Sequence, residues 1–308
     1  MASLQKPIGF APDEISSMVN DVVVRQHAEN AAFLWTQRDR AVRAPHYRLN
    51  DIVELDERIE ANLDGLRVAG DIGWKLCVEG LDQQGRGEVF AAAVLAFGGN
   101  DPDKIEKVFE VSQAAPGLDR PVISALGWLE ADGVKNHLAS LIASEAPLKR
   151  RIGIAGYAVH RLDPAAVLIH TISDADLRVR ARALKAIGEL GKINLLPHVQ
   201  RATAEEDLGC RFQASWSAVR LGDRTPDVLK KLQALAEAGG EFADASLAVA
   251  LRCVSLDEAK QWRRELRDHP ERLRLAIKGI GILGDPALVS ELLVLMEKKE
   301  TSRIAGES

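Results

Sequence analysis

The sequence predicts an all-α protein, an α-solenoid built from repeated helix pairs, from three observations. A segment that is apolar and closes on a turn recurs from about residue 89 onward at nearly constant spacing. Apolar residues within these segments follow the helical period rather than a strict alternation. Aromatic residues make up only 5% of the 308 residues, so Ala, Leu, Ile and Val must fill the core. Such a composition favours closely packed helices, and self-similarity every ~20–50 residues is typical of repeat proteins.

The repeat is defined by the residue that ends the first segment of each unit. Successive anchors lie 28 to 33 residues apart. The anchors are Gly98, Leu129, Leu162, Leu190, Leu221, Cys253 and Leu283. Gly191, Gly222 and Gly284 directly follow three of them, where a glycine commonly ends a helix. Each unit is therefore predicted to be helix–turn–helix, and residues 89–308 to form an array of about seven units.

The end of the chain reads as the start of another unit. Residues 301–306 begin an eighth first helix, and the chain stops inside it. Because a solenoid needs a polar cap at its end, we expect the array to be truncated. We further expect the seventh unit to expose apolar side chains, namely those of Ile277, Ile280, Leu283 and Leu293.

Residues 1–88 lack the repeat and are predicted to be an N-terminal helical cap region. Apolar faces, capping residues and the stop at Pro45 define its elements. Four helices are expected: Asp13 to about Val24, Glu29 to Val42, Asn50 or Asp51 to Gly70, and Ile72 to Leu81.

The net charge of −5 belongs to that cap region. Residues 1–88 carry 10 basic and 15 acidic residues, whereas residues 89–308 carry 30 of each. Nucleic-acid-binding domains usually have a basic excess, so we expect no nucleic-acid partner. Three widely spaced cysteines without a CxxC motif argue against disulfides and zinc ribbons. With neither a signal peptide nor a long apolar segment, we expect a cytoplasmic protein with no membrane association.

One candidate binding cluster lies around the junction of the second and third predicted helices. Its residues are Trp35, Arg38, Arg40, Arg43, His46 and Tyr47. Arginine and aromatic residues are enriched at binding hot spots. The alternative is a structural cap, in which arginine pairs with the acidic third helix through Glu54, Asp56, Glu57 or Glu60. The capping interpretation is favoured, although one segment could serve both roles.

A second candidate set is a row of histidines on the second helices. His137, His170 and His198 each follow an anchor by eight residues, in three consecutive units. Equivalent residues on stacked helices are separated by roughly 8–10 Å, too far to share one metal ion. We therefore expect a polar row that faces a groove or packs between units, and no metal.

Basic residues also recur at the start of several first helices, as at 149–151 and 178–182. They could form a stripe that follows a phosphate backbone. The favoured interpretation is a structural ladder with aspartates before the helices, among them Asp174, Asp176, Asp207 and Asp268.

Two sequence patterns carry family resemblances. The stretches DADLRVRARALKAIGELG (174–191) and DHPERLRLAIKGIGILGDP (268–286) resemble the short HEAT-like repeats of the bilin-lyase type. Residues 27–70 resemble the opening signature of an uncharacterised family of bacterial HEAT-repeat proteins often associated with type VI secretion gene clusters, and this likeness extends over nearly the whole chain. It implies a cytoplasmic protein with a protein partner, a secretion component or effector, and supplies no catalytic residues.

The motifs of common catalytic sites are missing from the sequence. There is no HExxH, GxSxG, Walker loop or GxGxxG. We therefore predict a non-enzymatic interaction scaffold or adaptor without a cofactor. Trp128, Trp216 and Trp262 keep open the alternative of a HEAT-like DNA glycosylase or another nucleic-acid-binding enzyme, because HEAT-like DNA glycosylases line a cleft with tryptophan and an aspartate. A bilin-lyase-like enzyme is a third possibility, implied only by the similarity of the repeats.

Overall fold

The computed structural model describes residues 20–164 and 167–308 of the chain. Within these ranges the secondary structure is helical, without a β-strand, which confirms the predicted all-α class. The chain divides into two compact units, Met1–His160 and Arg161–Ser308.

The first unit contains eight α-helices among its described residues. They are α1 (Asp21–Ala41), α2 (Leu49–Val68), α3 (Asp71–Leu81), α4 (Arg86–Gly98), α5 (Pro102–Ala114), α6 (Asp119–Trp128), α7 (Ala131–Ile142) and α8 (Pro147–Val159).

The second unit contains ten α-helices among its described residues, with short 3-10 turns before α11, α16 and α17. The helices are α9 (Val167–Thr171), α10 (Leu177–Glu189), α11 (Leu196–Ala202), α12 (Leu208–Arg220), α13 (Pro226–Glu237), α14 (Ala243–Cys253), α15 (Leu256–Arg267), α16 (Leu273–Leu283), α17 (Val289–Met296) and α18 (Ser302–Glu307).

The repeat anchors coincide with helix ends. Each anchor lies within three residues of the last residue of an even-numbered helix from α4 to α16. Gly191, Gly222 and Gly284 have φ angles of 65°, 98° and 63°, the left-handed region that side chains other than glycine rarely adopt. The predicted alternation of helix, turn and helix is confirmed for these positions.

Even-numbered helices pack on one another within each unit. In the first unit α4 contacts α6 and α6 contacts α8, and in the second α10, α12, α14 and α16 contact in succession. Each odd-numbered helix from α3 onward packs against the even-numbered helix that follows it. The cores are correspondingly rich in small aliphatic residues, and Ala91, Ala92, Ala93 and Ala96 of α4 are all buried.

Arginines near the start of three even-numbered helices bind the loop that precedes their own helix. Arg150, Arg180 and Arg211 donate hydrogen bonds to backbone carbonyl oxygens five or six residues earlier, at 2.6–3.1 Å. These carbonyl acceptors were not part of the predicted Asp–Arg ladder. Ion pairs between neighbouring repeats do occur, between Arg151 and Asp119 at 3.1 Å and between Arg180 and Glu205 at 3.0 Å, but they do not use the predicted Asp176 or Asp207. Asp176 and Asp207 instead cap their helices by accepting from backbone N–H groups. These arginines stabilise the loop rather than form an open phosphate-binding stripe.

The first two helices expected in the cap region are replaced by a different arrangement. Residues 21–24 belong to the single helix α1, which begins at Asp21, because the side chain of Asn20 accepts from the N–H of Val22 and no glycine or proline interrupts the following turns. Residues 13–19 of the expected first helix lie outside the described residues.

The third and fourth expected helices correspond to α2 and α3, with boundaries within two residues. The predicted N-cap residue of α2, Asn50 or Asp51, was wrong. Asp51 does not precede α2 but lies in its first turn and accepts from the N–H of Arg48, which is the N-cap residue.

The expectation of exposed apolar residues in the seventh unit is wrong for two of four positions. Ile277 and Ile280 are both buried, and Ile277 packs against Ile304 and Ala305 of α18. Leu283 is half-buried, and Leu293 is exposed as expected, at 59%, beside the exposed Val289 and Val294 of the same helix α17.

Close helix packing gives a direct stability test with two glycines. A Cβ added at Gly87 would overlap the carbonyl oxygen of Ala32, whereas one added at Gly133 meets nothing within 4 Å. Gly87→Ala should lower the free energy of unfolding by about 1–3 kcal/mol, because α4 must move away from α1. Gly133→Ala should raise it by about 0.5–1 kcal/mol through helix propensity alone. Urea unfolding followed by circular dichroism measures both, and equal effects would contradict this packing.

Candidate functional site

A groove of about 670 Å³ crosses three interhelical turns of the first unit, which are every second turn along the chain. The turns join α2 to α3, α4 to α5 and α6 to α7, so the groove lies where three pairs of helix ends are stacked. The lining residues fall within 66–74, 94–104 and 129–134.

Four glycines line the groove, and two of them leave open space beside it. Gly70, Gly98, Gly99 and Gly133 all line it. Around the Cβ position of Gly70 and of Gly133 there is open space for at least 4 Å. Gly70 has a φ of 56°, so this sharp turn between α2 and α3 also requires a residue without a side chain.

The floor of the groove is apolar and supported from behind by His137. Phe97 is buried at the base, while Trp74, Leu95 and Leu129 are half-buried and expose part of their surface to the groove. The His137 ring packs edge-on to Phe97 with 5.3 Å between ring centroids. Burial lowers the pKa of His137, and a hydrogen bond to the backbone of Phe97 opposes that shift in part. His137 is thus a neutral packing residue beneath the floor.

One side of the rim holds a cation over an aromatic ring. The Lys104 ammonium lies 5.4 Å from the centroid of the Trp74 ring. It also lies 3.6 Å from a carboxylate oxygen of Asp71 and 3.6 Å from one of Asp101. The Asp71 side chain is otherwise fully exposed, so its carboxylate faces solvent at the mouth of the groove.

Another lining residue, Arg67, belongs to an ion-paired network that extends away from the groove. Arg67 donates to Glu60 and to Asp64, both at 2.6 Å. Glu60 also accepts a hydrogen bond from the indole N–H of Trp128. The Arg38 guanidinium lies 5.8 Å from the centroid of the Trp128 ring. This chain of contacts connects the cap region to the groove wall.

Arg38 makes the pairing on which the capping interpretation depends. It contacts both carboxylate oxygens of Asp56, at 2.6 and 3.2 Å. Trp35 is also structural: it is only 1% exposed, stacks on Phe90 with 5.1 Å between centroids and donates to the hydroxyl of Ser124 at 2.9 Å. Both side chains are therefore engaged in contacts within the protein rather than presented at the surface for a ligand.

The other four residues of that cluster lie at or beyond the end of α1. Arg40, Arg43 and His46 are exposed. Tyr47 is half-buried, accepts a hydrogen bond from Gln37 at 3.2 Å and contacts the His46 ring at 4.8 Å between centroids. The predicted cluster therefore divides into two core or ion-paired residues and four at the surface.

The predicted histidine row is distributed over both units. His137 belongs to the first unit, whereas His170 and His198 belong to the second. His170 is exposed on α9, and His198 Nδ1 lies 2.9 Å from the guanidinium of Arg201. In the described part of the chain, no group of three or more His, Cys, Asp or Glu side chains is arranged to hold a metal ion.

The three tryptophans on which the DNA glycosylase alternative rests, Trp128, Trp216 and Trp262, all contact side chains of their own unit. Trp128 packs edge-on to Phe90 as well as binding Glu60. Trp262 donates to Glu237 at 2.9 Å, and the Arg220 guanidinium lies 4.7 Å from the Trp216 ring centroid. These contacts are typical of packing residues.

The groove residues could not be predicted from sequence motifs. Trp74 and Lys104 belong to no recognisable motif, and they become neighbours only through the packing of α3 against α4 and of α4 against α5. The signal that could have located the groove is the recurrence of glycine beside the three turns, at Gly70, Gly98–Gly99 and Gly133.

The cysteines can be tested for reactivity. Burial raises the pKa of the Cys77 thiol to about 12 and is also the main cause that raises the pKa of Cys210 to about 12. Cys253 is half-buried beside a second groove, of about 550 Å³, in the second unit.

At pH 8 we expect a disulfide reagent such as Ellman's to modify Cys253 rapidly in the native protein. Cys77 and Cys210 should react about 100-fold more slowly, because the thiolate is the reactive form. In denaturant all three should react alike, and Cys253→Ser should remove the fast phase. Three rapid thiols in the native protein would contradict the burial of Cys77 and Cys210.

Comparison with known proteins adds no relative. No protein-family model, no curated protein and no solved structure matches the chain. Among residues 20–164 and 167–308, none of the helices combines the length and apolar character needed to cross a membrane.

Proposed function

We propose that this protein is a non-enzymatic protein–protein interaction scaffold or adaptor, built as a HEAT-like α-solenoid. The constant anchor spacing and the successive contacts of even-numbered helices within each unit support this architecture. The further assignment, to an accessory, chaperone or effector-associated factor of a bacterial type VI secretion system in the cytoplasm, is supported by the resemblance of residues 27–70.

The groove in the first unit is the observation that carries the interaction function. It combines a partly exposed apolar floor with a rim of charged residues, the anatomy of a protein interface. Its wall is held in place by ion pairs, as at Arg67, so a partner would not have to order these side chains on binding. Such pre-organisation reduces the entropic cost of association.

Filling the groove should therefore abolish partner binding. Gly133→Leu places a side chain in the open space at the groove, and Gly133→Ala is the matched control that leaves it open. In affinity capture from the native bacterium, followed by mass spectrometry, the wild type and Gly133→Ala should retain a protein encoded in a type VI secretion cluster. Gly133→Leu should reduce its recovery at least about ten-fold, a loss of ~1.4 kcal/mol.

A second pair of variants separates the groove from the surface of the cap region. Arg40→Glu with Arg43→Glu should leave capture unchanged if the groove is the binding surface. Loss of capture in this double variant, with full capture by Gly133→Leu, would move the site to the end of α1 and overturn the groove assignment.

A DNA gel shift distinguishes the scaffold from a HEAT-like DNA glycosylase. With duplex DNA at low salt we expect no retarded complex. A complex that weakens steeply as salt increases would reveal binding driven by phosphate contacts and would favour the nucleic-acid enzyme.

A further inference from the structure

We propose that the groove in the first unit binds an extended segment of a protein partner in which apolar side chains are flanked by Lys or Arg. This inference rests on the proposed function and specifies the chemistry of the partner. Three features of the groove carry it: its shape, its charge and the aromatic face of Trp74.

The shape of the groove suits an extended chain. It crosses three interhelical turns rather than entering the space between two helices. Its volume of about 670 Å³ is within the range of pockets that enclose a drug-sized ligand, or a few side chains of a peptide. Because Trp74, Leu95 and Leu129 retain exposed surface, an apolar side chain would gain contacts on the floor.

Carboxylates outnumber cations around the groove. Arg67 lies between Glu60 and Asp64, and Lys104 lies between Asp71 and Asp101. Two cations therefore face four carboxylates. Glu130, which also lines the groove, is exposed and makes no capping hydrogen bond with its side chain. Of these residues, Arg67, Lys104, Asp71 and Glu130 line the groove, whereas Glu60, Asp64 and Asp101 pair with the two cations from outside the lining. The lining cations are therefore already neutralised, and the whole set of two cations and five carboxylates carries −3, an excess that attracts a basic segment and repels an acidic one.

The contact between Lys104 and Trp74 shows how a cation is accommodated here. The ammonium lies over the indole ring and within 4 Å of two carboxylates, a favourable arrangement for a cation. A basic side chain of the partner would find a similar environment at Asp71 and Glu130, whose carboxylates face solvent at the mouth. The carboxylates at the mouth would therefore select basic residues on either side of the partner segment, and the apolar floor would select apolar residues within it.

The probe is a short fluorescein-labelled peptide in which Lys and Arg alternate with Leu and Phe. Its counterpart carries Glu in place of every basic residue. Fluorescence anisotropy with the full chain should show saturable binding of the basic peptide, weakened by salt, and no binding of the acidic one. Acidic-peptide binding of equal strength would overturn the proposal.

Variants at the rim test the location. Asp71→Asn with Glu130→Gln should weaken binding of the basic peptide about ten-fold and reduce its salt dependence. The control pair is Asp257→Asn with Glu241→Gln, which removes two exposed carboxylates from the second unit and should leave binding unchanged. Equal loss in both pairs would indicate attraction to overall charge and would overturn the proposal.

The floor is tested by Gly133→Leu against Gly133→Ala. The leucine variant should weaken the basic peptide about ten-fold, and the alanine variant should match the wild type. If Gly133→Leu does not fold, as judged by circular dichroism, the rim variants still decide the question. Retained capture of a secretion partner together with failure of the basic peptide would overturn this partner chemistry alone and leave the scaffold function standing.

Discussion

Close approach of successive even-numbered helices is the constraint on which the rest of the structure depends. In the second unit a Cβ at Gly188 would overlap Ser217 of the neighbouring helix, and Ser217 donates its hydroxyl hydrogen bond to the carbonyl of Leu184 at 2.7 Å. In the first unit the equally close contact is between α4 and α1, where a Cβ at Gly87 would overlap the backbone of Ala32. Backbones this close admit glycine at the contact and a small residue such as Ala or Ser opposite it, a packing consistent with the scarcity of aromatic residues.

Helix packing also determines where the turns lie. Because α4 contacts α6 at close range, the ends of these helices are held side by side, together with the turn between α2 and α3. The arginines at 150, 180 and 211 then fix the loops that enter their own helices. A groove across stacked turns follows whenever the turns themselves are built from small residues, as they are at Gly70, Gly99 and Gly133.

Local features of the fold could be predicted from the sequence, and features that depend on distant residues could not. The apolar period and the glycine turns located the ends of the even-numbered helices from α4 onward, since both are encoded within about a dozen residues, and their recurrence every 28 to 33 residues indicated the repeat. Trp35 was assigned to a binding cluster because its partner Ser124 is 89 residues away. Ile277 was expected at an exposed end because the cover provided by α18 depends on tertiary packing. The groove was missed for the same reason.

The distribution of charge near the groove bears on the proposed binding function, which helix packing alone does not explain. A terminal cap needs polar residues for solubility, and acidic residues spread evenly over its surface would satisfy that need. Here the acidic excess lies in residues 1–88, and Glu60, Asp64 and Asp71 from that segment flank two cations at the groove. Solubility does not require carboxylates to converge beside a partly exposed tryptophan. The proposed recognition of a basic, partly apolar segment would account for this convergence, with the acidic cap region contributing one wall of the proposed site.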